Sequence, residues 1–157
     1  SCNEYFVEIS GYSEQELIGS NHNIIRHEDM PKVIFKLMWS RLKKFEDILA
    51  IIKNRSKNGD YYWVTITFKT KYDVFDKNPE GYLAITKAPK RLAIERIIPL
   101  YEELLRIEKE FGLQASEDYF QEFLEEQDKS YDEYIYEVVH DDSVVKSFLS
   151  SMRKLFH

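Results

Sequence analysis

The chain has 157 residues, of which 43% are hydrophobic and 15% aromatic. That is enough apolar material for a core, and it excludes a disordered chain. The formal net charge is −6, with 14 basic and 12 acidic residues over positions 1–90 and nine acids against Lys129 alone over 116–139. An acidic chain with no basic face is not a reader of nucleic acid. No apolar run approaches the ~20 residues that cross a bilayer, so direct membrane insertion is not expected. The one cysteine, Cys2, rules out an intrachain disulfide framework and fits a reducing, cytoplasmic compartment. The sequence opens at Ser1 without a methionine, which leaves room for residues upstream.

In chain order, Asn3 to Ile9 reads as a short helix with Phe6, Val7 and Ile9 apolar, broken by Ser10-Gly11-Tyr12-Ser13. Ser13 caps a second short helix, and Glu16 three residues later completes a capping box. Gly19 ends it. Asn21 to Pro31 then packs two histidines, two asparagines, an arginine and two acids into one stretch that packing alone does not explain. Asp29 is the expected N-cap of the next helix, with Pro31 in its first turn. Residues 34, 35, 38, 42 and 45 follow helical spacing on that helix, with Lys36, Arg41, Lys43 and Lys44 outside.

Ile48 to Lys53 changes to a β-rich run, and Lys57-Asn58-Gly59-Asp60 is a turn. Tyr62 to Tyr72 alternates with period two. A looser connection to Gly81 leads to a third strand, Tyr82 to Thr86. Three consecutive antiparallel strands make a meander whose face the preceding helix can cover. Pro89 ends the mixed region. A helix from Arg91 carries Ile94, Ile97, Tyr101, Leu104 and Phe111 as its seam, interrupted by Glu108. Pro99 kinks or restarts it and Gly112 ends it. Ser116 is the expected cap of the next helix, with Phe120, Leu124, Tyr131, Tyr134 and Val138 on its seam. Asp141-Asp142-Ser143 caps a last helix with Val144, Val145, Phe148, Leu149, Met152, Leu155 and Phe156 apolar. The eleven Tyr and ten Phe fill either a core or a ring-lined cavity.

No Ser-His-Asp or Cys-His arrangement stands in a motif context, no phosphate loop is present, and paired acids fall on helix surfaces, so an enzyme is not expected. His22 and His27 are five residues apart, not the i, i+4 pair of a helical metal site, and zinc lacks ligands.

Several strings carry a resemblance. They are Tyr5-Phe6-Val7-Glu8-Ile9-Ser10-Gly11-Tyr12-Ser13, Glu16-Leu17-Ile18-Gly19, His22-Asn23-Ile24-Ile25-Arg26-His27-Glu28-Asp29-Met30-Pro31, Met38-Trp39 and Lys53-Asn54-Arg55 through Trp63-Val64. Together they resemble a PAS domain, and more narrowly the PAS domains of bacterial aerotaxis receptors and related energy-taxis sensors. The Arg-His-x-Asp-Met-Pro core is the most specific string. The resemblance covers residues 1–89 and leaves 90–157 as C-terminal amphipathic helices.

It implies an α+β fold with a five-stranded antiparallel sheet, helices folded over one face, and an enclosed cofactor. It implies FAD as a non-covalent redox sensor and a membrane-bound chemotaxis transducer or other signalling protein as partner, with a homodimer as a further option. Arg26, His27, Asp29, Trp39 and Asn54 match the family's cofactor-binding positions, with His22 and Asn23 beside them. Asn54 can donate and accept at a flavin's pyrimidine edge, Arg26 suits a diphosphate, and Trp39 can line the ring. His27 can equally cap, support a flavin site or ligate a haem iron.

Two departures bear on the reading. Asp47-Ile48-Leu49-Ala50 stands where the family has a Trp-containing Pro-Trp-Ser-Gly segment. The family's first two strands have no counterpart before Asn3. The missing strands predict an altered fold, completion by another chain, or C-terminal helices packed into the vacancy. The alternatives to an FAD sensor are a cofactor-free interaction module, with Ile48 and Leu49 filling the cavity, and a haem-based gas sensor.

Overall fold

A computed structural model describes residues 4–20 and 22–141. The predicted helix over 144–156 lies outside the described residues. Ten elements follow in order. Helix α1 (Glu4–Ser10) and helix α2 (Glu14–Leu17) lead to a 3-10 turn (His22–Ile25) and helix α3 (Lys32–Lys43). Strands β1 (Ile48–Arg55), β2 (Tyr61–Tyr72) and β3 (Pro79–Lys87) come next, then helices α4 (Arg91–Phe111), α5 (Leu113–Glu126) and α6 (Tyr131–His140). The strands form one antiparallel sheet in the order β1-β2-β3, so the fold is α+β.

The capping box at Ser13 and Glu16 forms as the sequence predicts. Gly11 turns the chain at φ +71°, and the carbonyl of Ser10 accepts the Lys57 N–H at 2.8 Å, which ties α1 to the β1–β2 turn. That turn is held from inside: the Asn58 side-chain oxygen accepts the Asp60 N–H at 3.0 Å, and Gly59 takes φ +93°. Register pairs Ile52 with Val64 and Asn54 with Tyr62. Val64 and Ile66 therefore face the same side as Ile52 and Asn54, whereas Trp63 and Thr65 face the other.

Helix α3 lies over the first of these faces. Ile34, Met38 and Leu42 are buried one turn apart, as the spacing requires. Phe45 adopts φ +56°, the left-handed turn that glycine normally supplies. Its carbonyl accepts the Thr70 hydroxyl at 2.7 Å and its ring stacks on Tyr82, with centroids 5.9 Å apart. Those contacts hold the bend that carries the chain from α3 into β1.

The other face and the outer edge of β1 are covered by α4 and α6. Tyr101 of α4 stacks on Trp63 and donates its hydroxyl to the Ile51 carbonyl at 2.7 Å. Tyr131 of α6 donates to the Leu49 carbonyl at 2.8 Å. The Lys53 N–H on the same edge points at the Met30 sulfur, 3.3 Å away. An edge strand is an open template unless its polar groups are covered, and here two phenols and a thioether cover it. Burial pushes both tyrosine hydroxyls well above their ordinary pKa.

Several sequence expectations are corrected. Among the described residues, α4 and α6 pack on β1 and not at the free edge of β3. At that edge Leu83 stays exposed and no strand pairs among the described residues. The helices go to β1 because their tyrosines supply the donors its carbonyls need. Helix α4 does not restart at Pro99 but runs through it, with Ala93, Ile97, Leu100, Tyr101, Leu104 and Ile107 buried, while Phe111 is exposed at its end. Ser116 does not cap α5. It sits inside the helix, fully buried, and donates to the Leu104 carbonyl at 3.1 Å. The acidic segment after it is two helices, not one. The chain turns at Asp128, with φ +51°, and α6 restarts from Ser130, whose capping box with Glu133 the sequence reading did not see. All of α3 to α6 share one core with β1 and β2.

Candidate functional site

A cavity of about 610 Å³ lies between the sheet and α3. Its floor is Ile52, Asn54, Val64, Ile66 and Phe68 from the sheet, and its roof is Phe35, Met38, Trp39 and Leu42 from α3. Ile25 and Arg26 close one end, and Tyr82 and Ala84 of β3 close the other. This position follows from the sequence. Strand alternation turns 52, 54, 64 and 66 inward, and helical spacing turns 35, 38, 39 and 42 toward them.

Two polar side chains stand out in this apolar wall. Asn54 is only 6% exposed and its side chain lines the cavity. An amide that opens onto an apolar slot is completed there by a ligand or by water. The Arg26 guanidinium lies over the Phe35 ring, 4.2 Å from its centroid. No carboxylate lines the cavity. Backbone pairing between Arg26 and Asn54 extends the β1 edge by one antiparallel bridge and fixes these two residues side by side. The site is thus an apolar slot with one amide and one cation that no carboxylate pairs among the described residues, which suits a flat heterocycle bearing an anion.

The structure brings Arg26, Trp39 and Asn54 together on this cavity, with Trp39 at its rim and 53% exposed. It places His27 and Asp29 elsewhere. The His27 ring nitrogen Nδ1 accepts the Asp29 N–H at 3.0 Å, and its ring meets Tyr61 edge-on. Asp29 binds the Lys53 ammonium at 3.0 Å on the outer side of β1, and that hydrogen bond holds its carboxyl below the usual range. These two residues lock the turn ahead of α3 and face away from the cavity, because Arg26 is held in an extended bridge and the chain turns between His27 and Met30. Asp29 is not the N-cap of α3 either. Pro31 occupies the cap position, and the Glu108 carboxylate from α4 accepts the Lys32 and Val33 N–H groups at 2.9 and 3.0 Å. The break that Glu108 makes in the α4 seam is this cap. The side chains of His22 and Asn23 lie outside the described residues, and their predicted roles with them.

Ile48 and Leu49 do not fill the cavity. Ile48 is buried further along the strand, and Leu49 is on the opposite face. Haem finds no histidine on this wall among the described residues. Sequence reasoning missed Phe35 and Tyr82. Phe35 was signalled by its spacing of four from Trp39. Tyr82 had no local signal, since its place depends on the β2–β3 register.

A short antiparallel sheet roofed by helices over a ligand-sized slot defines a small α+β domain. The chain belongs to the PAS fold family, which it matches over residues 1–81. It is 44% identical over 103 residues to the aerotaxis receptor of Escherichia coli K12, covering 66% of this chain and 20% of that protein. It is 24% identical over 71 residues to the bacterioopsin transcriptional activator of Halobacterium salinarum, covering 45% of this chain and 10% of that one. The chain therefore spans a fifth or less of the length of these relatives. Among solved structures, the light-state LOV domain of the blue-light photoreceptor Aureochrome1 superposes with a TM-score of 0.51 at 18% identity, over 69% of this chain and 78% of that one. A light-oxygen-voltage domain with a flavin analogue superposes at 0.54 and 20% identity, over 64% and 74%. No helix among the described residues is long and apolar enough to cross a membrane.

Proposed function

We propose that this PAS domain holds a flavin, as FAD, in the Asn54 cavity and reports redox or energy state to a separate signalling protein. The observation that carries the reading is the Asn54 amide on the wall of an apolar slot beside Arg26. The likeness to the aerotaxis receptor supports the sensory role. A bound flavin supplies reversible electron and proton uptake. This chain's residues do the rest. The Asn54 amide donates to and accepts from the pyrimidine edge. Arg26 neutralises phosphate. Met38, Leu42, Ile52 and Val64 exclude water, and Phe35, Trp39 and Tyr82 offer flat surfaces to the ring.

Asn54 lies on β1, the strand whose outer edge α4 and α6 hold through Tyr101 and Tyr131. A change in what Asn54 bonds therefore biases the strand that those helices grip, and a two-state shift can leave through their surfaces. The output is a protein contact and not a reaction: a membrane-bound chemotaxis transducer met from the cytoplasm, or a second copy of the chain.

The visible spectrum of the purified protein, before and after incubation with FAD, tests the reading. A flavin spectrum released on denaturation is expected. A Soret band, or a colourless protein after incubation, would refute it. Asn54→Ala is expected to lower flavin affinity about tenfold with the same far-ultraviolet circular dichroism, as the loss of a buried hydrogen-bond pair implies. Unchanged occupancy removes Asn54 from the site.

A further inference from the structure

A basic groove interrupts the surface of this acidic chain. It measures about 660 Å³ and lies between the turn ahead of α3, the end of β1 and the end of α4. Arg26, Lys32, Arg55 and Lys109 line it, against the carboxylates of Glu28 and Glu108. Both carboxylates are engaged. Glu28 pairs with Arg55 at 3.6 Å, and Glu108 accepts the two N–H groups that open α3. Arg26 belongs also to the cavity, where its guanidinium lies over Phe35. Lys32 and Lys109 are exposed, and among the described residues no carboxylate lies within ion-pair distance of either. They leave the groove an excess of positive charge in a chain whose net charge is −6. Leu105 and Leu113 give it an apolar lining.

We infer that this groove docks an acidic, extended segment of a partner protein, whose carboxylates meet Lys32 and Lys109 and whose apolar side chains lie on Leu105 and Leu113. The inference rests on the reading of the domain as a reporter to a separate protein, and does not require the flavin. A compact anion is the poorer occupant. The two lysines come from different helices, and the Glu108 carboxylate, bonded to the Lys32 N–H and next in sequence to Lys109, repels a dianion placed between them. A peptide carries its charges apart, so each carboxylate can sit by a lysine and away from Glu108. The acids of this chain's own 116–139 block are the poorer source. They stand on the folded helices α5 and α6, and Glu117, Asp132 and Glu137 are already paired with Lys36, Arg41 and Lys129. Lys109 lies on α4, which grips β1 through Tyr101, and Lys32 opens α3, which roofs the cavity. A segment in the groove therefore bridges helices packed on opposite faces of the sheet, and its affinity depends on how those helices sit.

The test is binding of a fluorescein-labelled peptide of alternating Glu and Leu to the full chain at low ionic strength, followed by fluorescence anisotropy, with a peptide of alternating Gln and Leu beside it. The double substitution Lys32→Ala, Lys109→Ala is expected to weaken the acidic peptide about tenfold, at about threefold for each exposed lysine. Lys69→Ala, Lys71→Ala, at exposed positions of β2, is expected to leave its affinity unchanged. The Gln peptide is expected to bind the wild-type chain no better than the acidic peptide binds the double variant, and added salt to weaken the acidic peptide. No binding of the acidic peptide, equal binding of the two peptides, or equal losses in the two variants overturns the inference. Displacement by inorganic phosphate beyond that by sodium chloride at equal ionic strength overturns it too, as the mark of a compact-anion site. So does self-association in sedimentation that the Lys32, Lys109 variant abolishes, as the mark of a second copy in the groove. Flavin content and far-ultraviolet circular dichroism are recorded on the same samples. Peptide binding by folded protein that takes up no flavin upholds the inference and removes the flavin reading, whereas flavin uptake without peptide binding overturns the inference alone.

Discussion

Replacing Tyr101 by phenylalanine removes one oxygen from the middle of the molecule. The residue is 3% exposed, its hydroxyl donates to the Ile51 carbonyl at 2.7 Å, and its ring stacks on Trp63. Phenylalanine keeps the ring, the stacking and nearly all of the volume. The loss is therefore confined to one hydrogen bond and to the carbonyl left behind it. Ile51 is itself fully buried and its carbonyl points at the strand edge, away from β2. Leaving that group unpaired costs about 1–3 kcal/mol. For a domain of this size each kcal/mol lowers Tm by about 2–4 °C. Urea denaturation followed by circular dichroism measures the loss, with Tyr136→Phe as control. Tyr136 is exposed and rests on His140, so its substitution is expected to change stability by less than about 0.5 kcal/mol. A Tyr101→Phe loss as small as the control's would show that water reaches the β1 edge and that α4 does not seal it. Tyr131→Phe acts on the Leu49 carbonyl two residues away. The double variant is expected to lose less than the sum, because water admitted at one carbonyl serves the other.

The same tyrosines set an alkaline limit. Burial raises the folded-state pKa of Tyr101 and Tyr131 above the ordinary value near ~10, and that of Tyr134 is pushed up to about 12. Above ~10 the unfolded chain releases protons that the folded chain keeps, so stability is complete below that pH and falls as pH rises through it. The slope is roughly 1.4 kcal/mol per pH unit for each such tyrosine, and the double Phe variant is expected to flatten it in a denaturant series from pH 8 to 11. Glu108→Ala removes the carboxylate cap from α3 and is expected to cost about 1–2 kcal/mol, with Glu108→Gln recovering part of it. Equal losses in the two variants would mean that the α3 N–H groups find water instead. Ser130→Ala is expected to cost about 1 kcal/mol by opening the α6 capping box, read as a lower denaturation midpoint at constant m-value.

The sequence by itself determined the elements and their faces. Period-two alternation from Tyr62 to Tyr72 could only be a strand, and the spacing of Ile34, Met38 and Leu42 could only be a helix with one buried side. It also determined the polar residues worth watching, since Arg26 and Asn54 lie in strings that resemble one family. What it could not determine was which way the chain turned between His27 and Pro31. Arg26, His27 and Asp29 lie within four positions of one another. Only the backbone reversal, fixed by Lys53 holding Asp29 and by the bridge from Arg26 to Asn54, puts the first on the cavity and the others outside it.

The long-range partners were equally hidden. Glu108 looked like a fault in an apolar seam until α3, 75 residues earlier, was found to begin on its carboxylate. Tyr101 and Tyr131 looked like core rings until the β1 carbonyls they serve were in place. Side-chain periodicity is written in neighbouring residues and can be read there. A hydrogen bond between residues far apart in the chain depends on how the elements stack, so only the tertiary structure decides it.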